Sequence, residues 1–280
     1  MITPSTSIGS SDVAAHYDEL DIIYRGVWGE DVHHGLWESG SEDIPTAVAN
    51  LTRRVAHAAG IRRGDRICDV GCGYGAAARL LAREWNATVS AITISKSQFD
   101  VAASGQSASE RVEFVHGDWM SNPFADEAYD AVIAIESSEH MPDLARFYSE
   151  CRRVLKPGGR LAVAAWLSAE SPGSWQVRYL LEPICREGRL VGLGSERENR
   201  ELMAAEKFRD IAFEDLSDRV AQTWTRCITR FFGALPSRAD YRHILFSRDY
   251  PSRVFARTLF RLRFAYACGA LRYGILRARR

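Results

Sequence analysis

The residues most ready to bind a ligand form an acid followed by alternating glycines, Asp69-Val70-Gly71-Cys72-Gly73-Tyr74-Gly75. Gly71 and Gly73 let a backbone approach a ligand closely, and a helix that follows presents free N–H groups to it. A dinucleotide-binding turn places its third glycine three residues after the second, but Gly75 comes two after Gly73, which disfavours NAD. The alternative is a tight strand-to-helix turn with no ligand. A second candidate is Glu139-His140, because a histidine that titrates near neutrality beside a carboxyl group can act as a general base. Its bland counterpart is a helix-opening pair bonded to backbone. An N-terminal segment crowded with Tyr17, Trp28, His33 and His34 can build a lid, or it can form the buried side of a surface helix.

The elements that must position these groups follow from periodicity. Apolar residues at Val48, Leu51, Val55 and Ala58 predict a helix over 44–59, stopped by Gly60. From Arg66 the pattern becomes a βα repeat, with strands expected at 66–70, 88–92, 112–116, 131–135 and 160–165 and helices at 76–82, 97–103 and 144–154. Such alternation means a parallel sheet, whose ligand crevice lies beyond the carboxyl ends of its strands. The turn Lys156-Pro157-Gly158-Gly159 is expected to separate a helix from the strand after it. Past Trp166 the repeat breaks into a cap, with helices expected at 175–185, 201–208, 220–235 and 252–271 and strands at 210–216 and 273–278. The expected fold is α/β, a doubly wound and mostly parallel seven-stranded sheet with a helical lid or cap. Its parts are a lid segment over 1–43, a core over 44–170, a cap with one late strand over 171–272, and a closing strand over 273–280. The first ten residues, rich in Ser, Thr and Gly, are expected to fray.

Composition excludes several classes of function. The 280 residues are 46% hydrophobic and 26% charged, enough to bury a large core. Thirty-six basic residues balance thirty-six acidic ones, so no global field attracts nucleic acid. Six cysteines without a CxxC pair make neither a disulfide scaffold nor a zinc site. No basic, apolar leader opens the sequence, and no run of about 18 apolar residues occurs, so a soluble cytoplasmic protein is expected. The acid-free, arginine-rich run from Pro251 reads as a solvated helix face, with contact to a membrane surface or a phosphorylated acceptor as its alternative.

The acid two residues before GxGxG resembles the nucleoside-binding turn of class I S-adenosylmethionine-dependent methyltransferases. Gly117-Asp118-Trp119 lies after the third strand, where that class uses an acid for the adenine amino group and the next side chain to pack on the ring. The ribose-binding carboxylate usual after the second strand is missing. In its place stands Ala91-Ile92-Thr93-Ile94-Ser95-Lys96-Ser97-Gln98, similar to the run carried by small-molecule methyltransferases of the tocopherol and sterol type, with Thr93, Ser95 and Gln98 matching. Asp31-Val32-His33-His34-Gly35-Leu36-Trp37 and Glu136-Ser137-Ser138-Glu139-His140-Met141-Pro142-Asp143 resemble further segments of that group. The resemblance is specific over about 17–166 and weaker beyond.

It implies a Rossmann-like methyltransferase fold and S-adenosylmethionine as cofactor. It further implies cofactor contacts from Tyr17, Trp28, His33, Asp69, Gly71, Gly73, Thr93, Ser95, Gln98, Asp118, Trp119 and Glu136, with His140 or Glu139 as base. Glu139 is alternatively expected to orient the histidine. Trp166, Trp175, Tyr179, Trp224 and Phe231 supply aromatic walls suited to a small lipophilic acceptor of natural-product, quinol or prenyl type. C-, O- and N-methylation share such a cofactor site and differ in the cap, with C-methylation expected. The competing reading is a protein that binds the cofactor structurally while its pocket steers a cyclisation.

Overall fold

The computed structural model describes residues 1–27, 32–105, 111–246 and 253–280. Its centre is one seven-stranded sheet in the order β3-β2-β1-β4-β5-β7-β6. Strands β1 (Arg66–Val70), β2 (Thr88–Thr93), β3 (Val112–His116), β4 (Tyr129–Ile135) and β5 (Leu155–Ser168) run parallel. The order reverses between β1 and β4, so a crevice opens beyond their carboxyl ends. β6 (Arg209–Asp215) and β7 (Leu271–Arg279) complete the sheet, with β7 antiparallel to both β5 and β6.

Helices cover both faces. α1 (Ser10–Val27) lies over the crevice, while α2 (Ile44–Ala58), α3 (Ala76–Trp85), α4 (Lys96–Ser104) and α5 (Leu144–Val154) flank the parallel strands. Asp43 caps α2 by accepting from the Thr46 N–H, and Val48, Leu51 and Val55 on its inner face are buried. α5 buries Phe147, Tyr148, Cys151 and Val154 on the opposite side of the sheet.

After β5 come α6 (Ser174–Gln176), a π-turn over Val177–Leu181, α7 (Glu182–Glu187), α9 (Ser217–Val220), α10 (Gln222–Ala234), α11 (Ala239–Phe246) and α12 (Arg253–Ala267), together called the cap, while α8 (Glu196–Ala205) packs beside α5, its Met203 in the same core cluster as Phe147 and Tyr148.

Several elements depart from the sequence reading: α11 has no counterpart in it, and the helices expected over 175–185 and 220–235 are each broken into shorter pieces. Lys156–Gly159 do not separate helix from strand. Leu155 already pairs with Tyr129, and the turn is an irregularity inside β5, with Gly158 at φ +75° absorbing it. The helix expected over 201–208 starts earlier, at Glu196, because Ser195 and Glu198 form a reciprocal capping box. The helix expected to run to 271 ends at Ala267, where Gly269 at φ +67° turns the chain into β7. The first ten residues are not frayed, since Ile2 exchanges backbone hydrogen bonds with Leu193 at 2.9 and 2.8 Å and Ser5 donates to Glu182.

Candidate active site

The glycine turn leaves β1 with the Gly71 and Cys72 N–H groups both donating to the Ile92 carbonyl at 2.9 Å. Gly71 sits at φ +76°, and a Cβ there would meet the Ser137 Cβ at 2.3 Å, so this glycine serves strand packing. Gly73 is at φ +55° with nothing within 4 Å of an added Cβ, so its free side opens on a groove. That groove has a volume of about 100 Å³ and is bordered by Asp69, the glycine turn, Thr93, Gln98, Gly117–Trp119 and Ser137 under α1.

Most of the residues expected to contact cofactor border this groove, and each has partners of its own. The Thr93 hydroxyl donates to Gln98 Oε1 at 2.8 Å, fixing both side chains. Ser95 does not border the groove. Fully buried, it caps α4 by accepting from the Gln98 N–H and donates to Asp18 Oδ1 at 2.6 Å, which fastens α1 to α4. Asp118 caps the short turn after β3 through the Met120 N–H at 2.8 Å, while its other oxygen accepts from the Ser10 hydroxyl of α1 at 3.1 Å. Trp119 borders the groove, but its indole lies within the core near Phe124 and Phe147 and donates to the Phe147 carbonyl at 3.4 Å. Trp28 falls outside the described residues.

A second, larger cavity of about 750 Å³ lies between α1, β5 and the cap. Tyr17, Val32, His33, Glu136 and His140 line both spaces, so they form the junction between them. His140 accepts nothing at Nδ1, because its neighbour there is the Arg189 carbonyl at 2.9 Å and a carbonyl can only accept. The proton therefore sits on Nδ1, and the Nε2 lone pair accepts from the Tyr17 hydroxyl at 3.0 Å. Burial lowers its pKa and keeps the ring neutral. Orientation thus comes from Arg189 and Tyr17 and not, as the sequence suggested, from Glu139.

Glu139 faces elsewhere. Its carboxyl accepts from the Trp166 N–H and from the Ser138 hydroxyl, and burial pushes its pKa up to about 8. An unfolded chain loses this proton near the ordinary 4.5, so between the two values the folded protein binds more protons and its stability falls as pH rises. Replacement of Glu139 with glutamine, which can satisfy both partners, should remove that slope. The melting temperature of the variant should gain on wild type from about pH 5 to about pH 8, and a pH-independent difference would mean the carboxyl is ionised in the fold.

Glu136 behaves oppositely. Burial alone would raise its pKa, but His34 brings it down to about 2, with further donors at hand. The His34 N–H and Nδ1 approach Oε1 at 2.7 and 3.0 Å, Tyr273 donates to the same oxygen at 2.9 Å, and the Trp166 indole donates to Oε2 at 2.7 Å. His34 in turn meets the Tyr266 hydroxyl at 3.2 Å and is ringed by Trp166, Trp224 and Tyr273 at 4.8–5.1 Å. It is the hub that sequence reasoning undervalued. Adjacent histidines gave no sign that His33 would reach its neighbour's carbonyl and Thr52 while His34 would clamp the junction carboxylate.

The methyltransferase-domain family matches residues 68–163. Over 231 residues the chain is 33% identical to 27-O-demethylrifamycin SV methyltransferase of Amycolatopsis mediterranei, covering 80% of this chain and 83% of that one. It is 31% identical over 245 residues to the chloroplastic tocopherol O-methyltransferase of Arabidopsis thaliana, covering 80% and 70%. The crystal structure of the [4+2]-cyclase SpnF superposes with a TM-score of 0.83 at 28% identity over 100% of this chain and 99% of that one. With a glycine turn open to a groove at the switch point of a seven-stranded sheet, and relatives of this kind along most of its length, the chain belongs to the class I S-adenosylmethionine-dependent methyltransferases, in the tocopherol and sterol methyltransferase group.

Proposed function

We propose that the protein methylates a small lipophilic acceptor held in the larger cavity, at carbon in preference to oxygen or nitrogen. The observation that carries this reading is the shared junction, where Tyr17, His33, Glu136 and His140 face both the groove under the glycine turn and the cavity under the cap. The groove fits the cofactor in kind. Open space at Gly73 admits a chain of atoms, and Asp118, at the end of β3, offers a carboxylate to an amino group. Asp69, Gly71, Thr93, Gln98 and Trp119 would shape the rest, and Ser95 acts through α4. When bound there, S-adenosylmethionine supplies an electrophilic methyl on a sulfonium.

The chain's own work is to orient, to exclude water and to take up a proton. α1 covers the groove, and its consecutive Tyr17 and Asp18 tie it to His140 and to Ser95. At the junction, neutral His140 can accept a proton from a hydroxyl or from a carbon that has gained a methyl group. Glu136, Trp166 and Trp224 line the cavity beside it, and an anion with electron-rich rings favours positive charge building on carbon. That environment supports C-methylation. Incubation with S-adenosylmethionine and a panel of phenolic, quinol and prenyl acceptors, read by S-adenosylhomocysteine release and by the position of the new methyl, tests it. An O-methyl product would overturn the preference for carbon.

A second reading has one specific support, the whole-length likeness to a [4+2]-cyclase. In that case the groove holds cofactor and the cavity folds a polyene for ring closure. Ring formation with no release of S-adenosylhomocysteine would establish it over methyl transfer.

Asp118 separates cofactor recognition from local structure. Asp118→Asn keeps the cap to Met120 but removes the charge and one acceptor. Its affinity for S-adenosylhomocysteine should fall by about 1–3 kcal/mol in calorimetry, the cost of stranding a hydrogen-bonding partner. Binding retained within error would move the adenine contact to another residue of the groove.

A further inference from the structure

Among the described residues, the large apolar side chains that stand exposed are, apart from Met1, all aromatic and all on the cap. They are Trp175, Tyr179, Phe232, Phe246, Phe260 and Phe264, from 37% exposed at Phe232 to 74% at Phe246. Phe260 and Phe264 are one turn apart on α12, while Leu259, Leu262 and Ala265 on the other side of that helix are buried. Four of the exposed rings meet in pairs across elements. Phe264 lies 6.4 Å from Trp175, and Phe260 lies 5.7 Å from Phe232 of α10. A patch of this kind on a chain with a well-filled core marks a surface that meets something.

Charge identifies the partner. Residues 174–181, 222–234 and 253–267 contain seven arginines and no aspartate or glutamate. Arg178, Arg230 and Arg263 are exposed and have no acidic partner among the described residues, whereas Arg257, also exposed, lines the larger cavity. Aromatic rings interleaved with unpaired arginines suit the headgroup region of an anionic bilayer, where rings sink to the acyl boundary and guanidinium groups meet phosphates. A second copy of this chain fits poorly, because two such faces would set arginine against arginine. No helix among the described residues is long and apolar enough to cross a membrane, so the contact is with the surface.

We propose that the face of the cap formed by α10, α12 and residues 174–181 docks on anionic lipid bilayers. α12 carries the docking rings on one side, and on the other Thr258, Leu259 and Leu262 line the larger cavity. A lipophilic molecule dissolved in the bilayer therefore has only one helix between it and that cavity, a consequence that rests on the acceptor reading above.

Flotation with phosphatidylcholine vesicles, with and without phosphatidylglycerol, tests the docking without any assay of activity. The full chain should float with the anionic vesicles at low salt and be released by high salt. The double variant Phe260→Ser, Phe264→Ser should bind at least about tenfold more weakly, having lost two buried rings. Arg178→Gln and Arg230→Gln should each cost about fivefold. Circular dichroism and S-adenosylhomocysteine affinity should match wild type throughout, and the arginine variants decide the matter if the phenylalanine pair misfolds. Failure to bind anionic vesicles at low salt would overturn the proposal, as would equal binding to neutral ones. A solution dimer dissociated by the phenylalanine variant would assign the face to a second copy.

Discussion

Gly73→Asn should lose S-adenosylhomocysteine binding by at least a hundredfold while keeping its circular dichroism spectrum. Gly73 is at φ +55° and its missing side chain points into the open groove, so substitution fills space that the protein does not use itself. Asparagine tolerates the left-handed conformation, as Asn86 at φ 51° does elsewhere in this chain, so backbone strain stays small. The loss then reports steric exclusion, and a hundredfold is about 2.7 kcal/mol, within the ~1–3 kcal/mol typical of overfilling a packed site. Gly73→Val should bind as poorly but with added strain from its branched side chain. Gly71→Val is a worse probe than Gly73→Val, although the sequence reading gave both glycines the same role. Its Cβ would strike Ser137, whose hydroxyl donates to the Val70 carbonyl at 2.6 Å, so lost binding could not be separated from a displaced β4 loop. Unchanged affinity in Gly73→Asn would place the cofactor away from this turn.

What could be read in advance was local. The β1 turn, the Thr93-to-Gln98 run and the Gly117-Asp118 step each lie within a few residues of one strand end, and a parallel sheet brings those ends together whatever the loops do. Non-local partners could not be read. His140 owes its tautomer to a carbonyl 49 residues later and a hydroxyl 123 residues earlier, and neither contact leaves a periodicity. Ser95 illustrates a subtler failure. It matches the group's motif and is fully buried, yet its hydroxyl is used to cap α4 and to hold Asp18, so a motif residue can fix a lid without reaching the ligand. Glu139 and Glu136 are three residues apart in one loop and differ because only Glu136 meets His34. Their opposite protonation follows from tertiary contacts that no spacing rule encodes.

Replacement of His140 with alanine should lower turnover about 10²- to 10⁴-fold, the range for loss of a general base, while S-adenosylhomocysteine affinity falls no more than in Tyr17→Phe, which breaks the same hydrogen bond. Three features favour this histidine over its neighbour. It lines both the groove and the cavity, whereas Glu139 reaches the cavity alone. Its Nε2 carries a lone pair that meets the Tyr17 hydroxyl of α1 at 3.0 Å, a place an acceptor hydroxyl can take. Its lowered pKa leaves the basic form present at neutral pH, while Glu139, raised to about 8, is protonated there and so is no base. The sign of the pH dependence follows. Turnover should hold steady through neutrality and fall only as acid protonates His140 below the ordinary histidine range, and Glu139→Gln should leave that limb in place. Tyr17→Phe distinguishes a base from a lid anchor, since it removes the 3.0 Å hydrogen bond but leaves the imidazole. Breaking that bond should cost about 0.5–1.5 kcal/mol of cofactor affinity with turnover largely kept. If Tyr17→Phe loses as much turnover as His140→Ala, the histidine works by holding α1 down, and proton removal falls to solvent or to the acceptor itself.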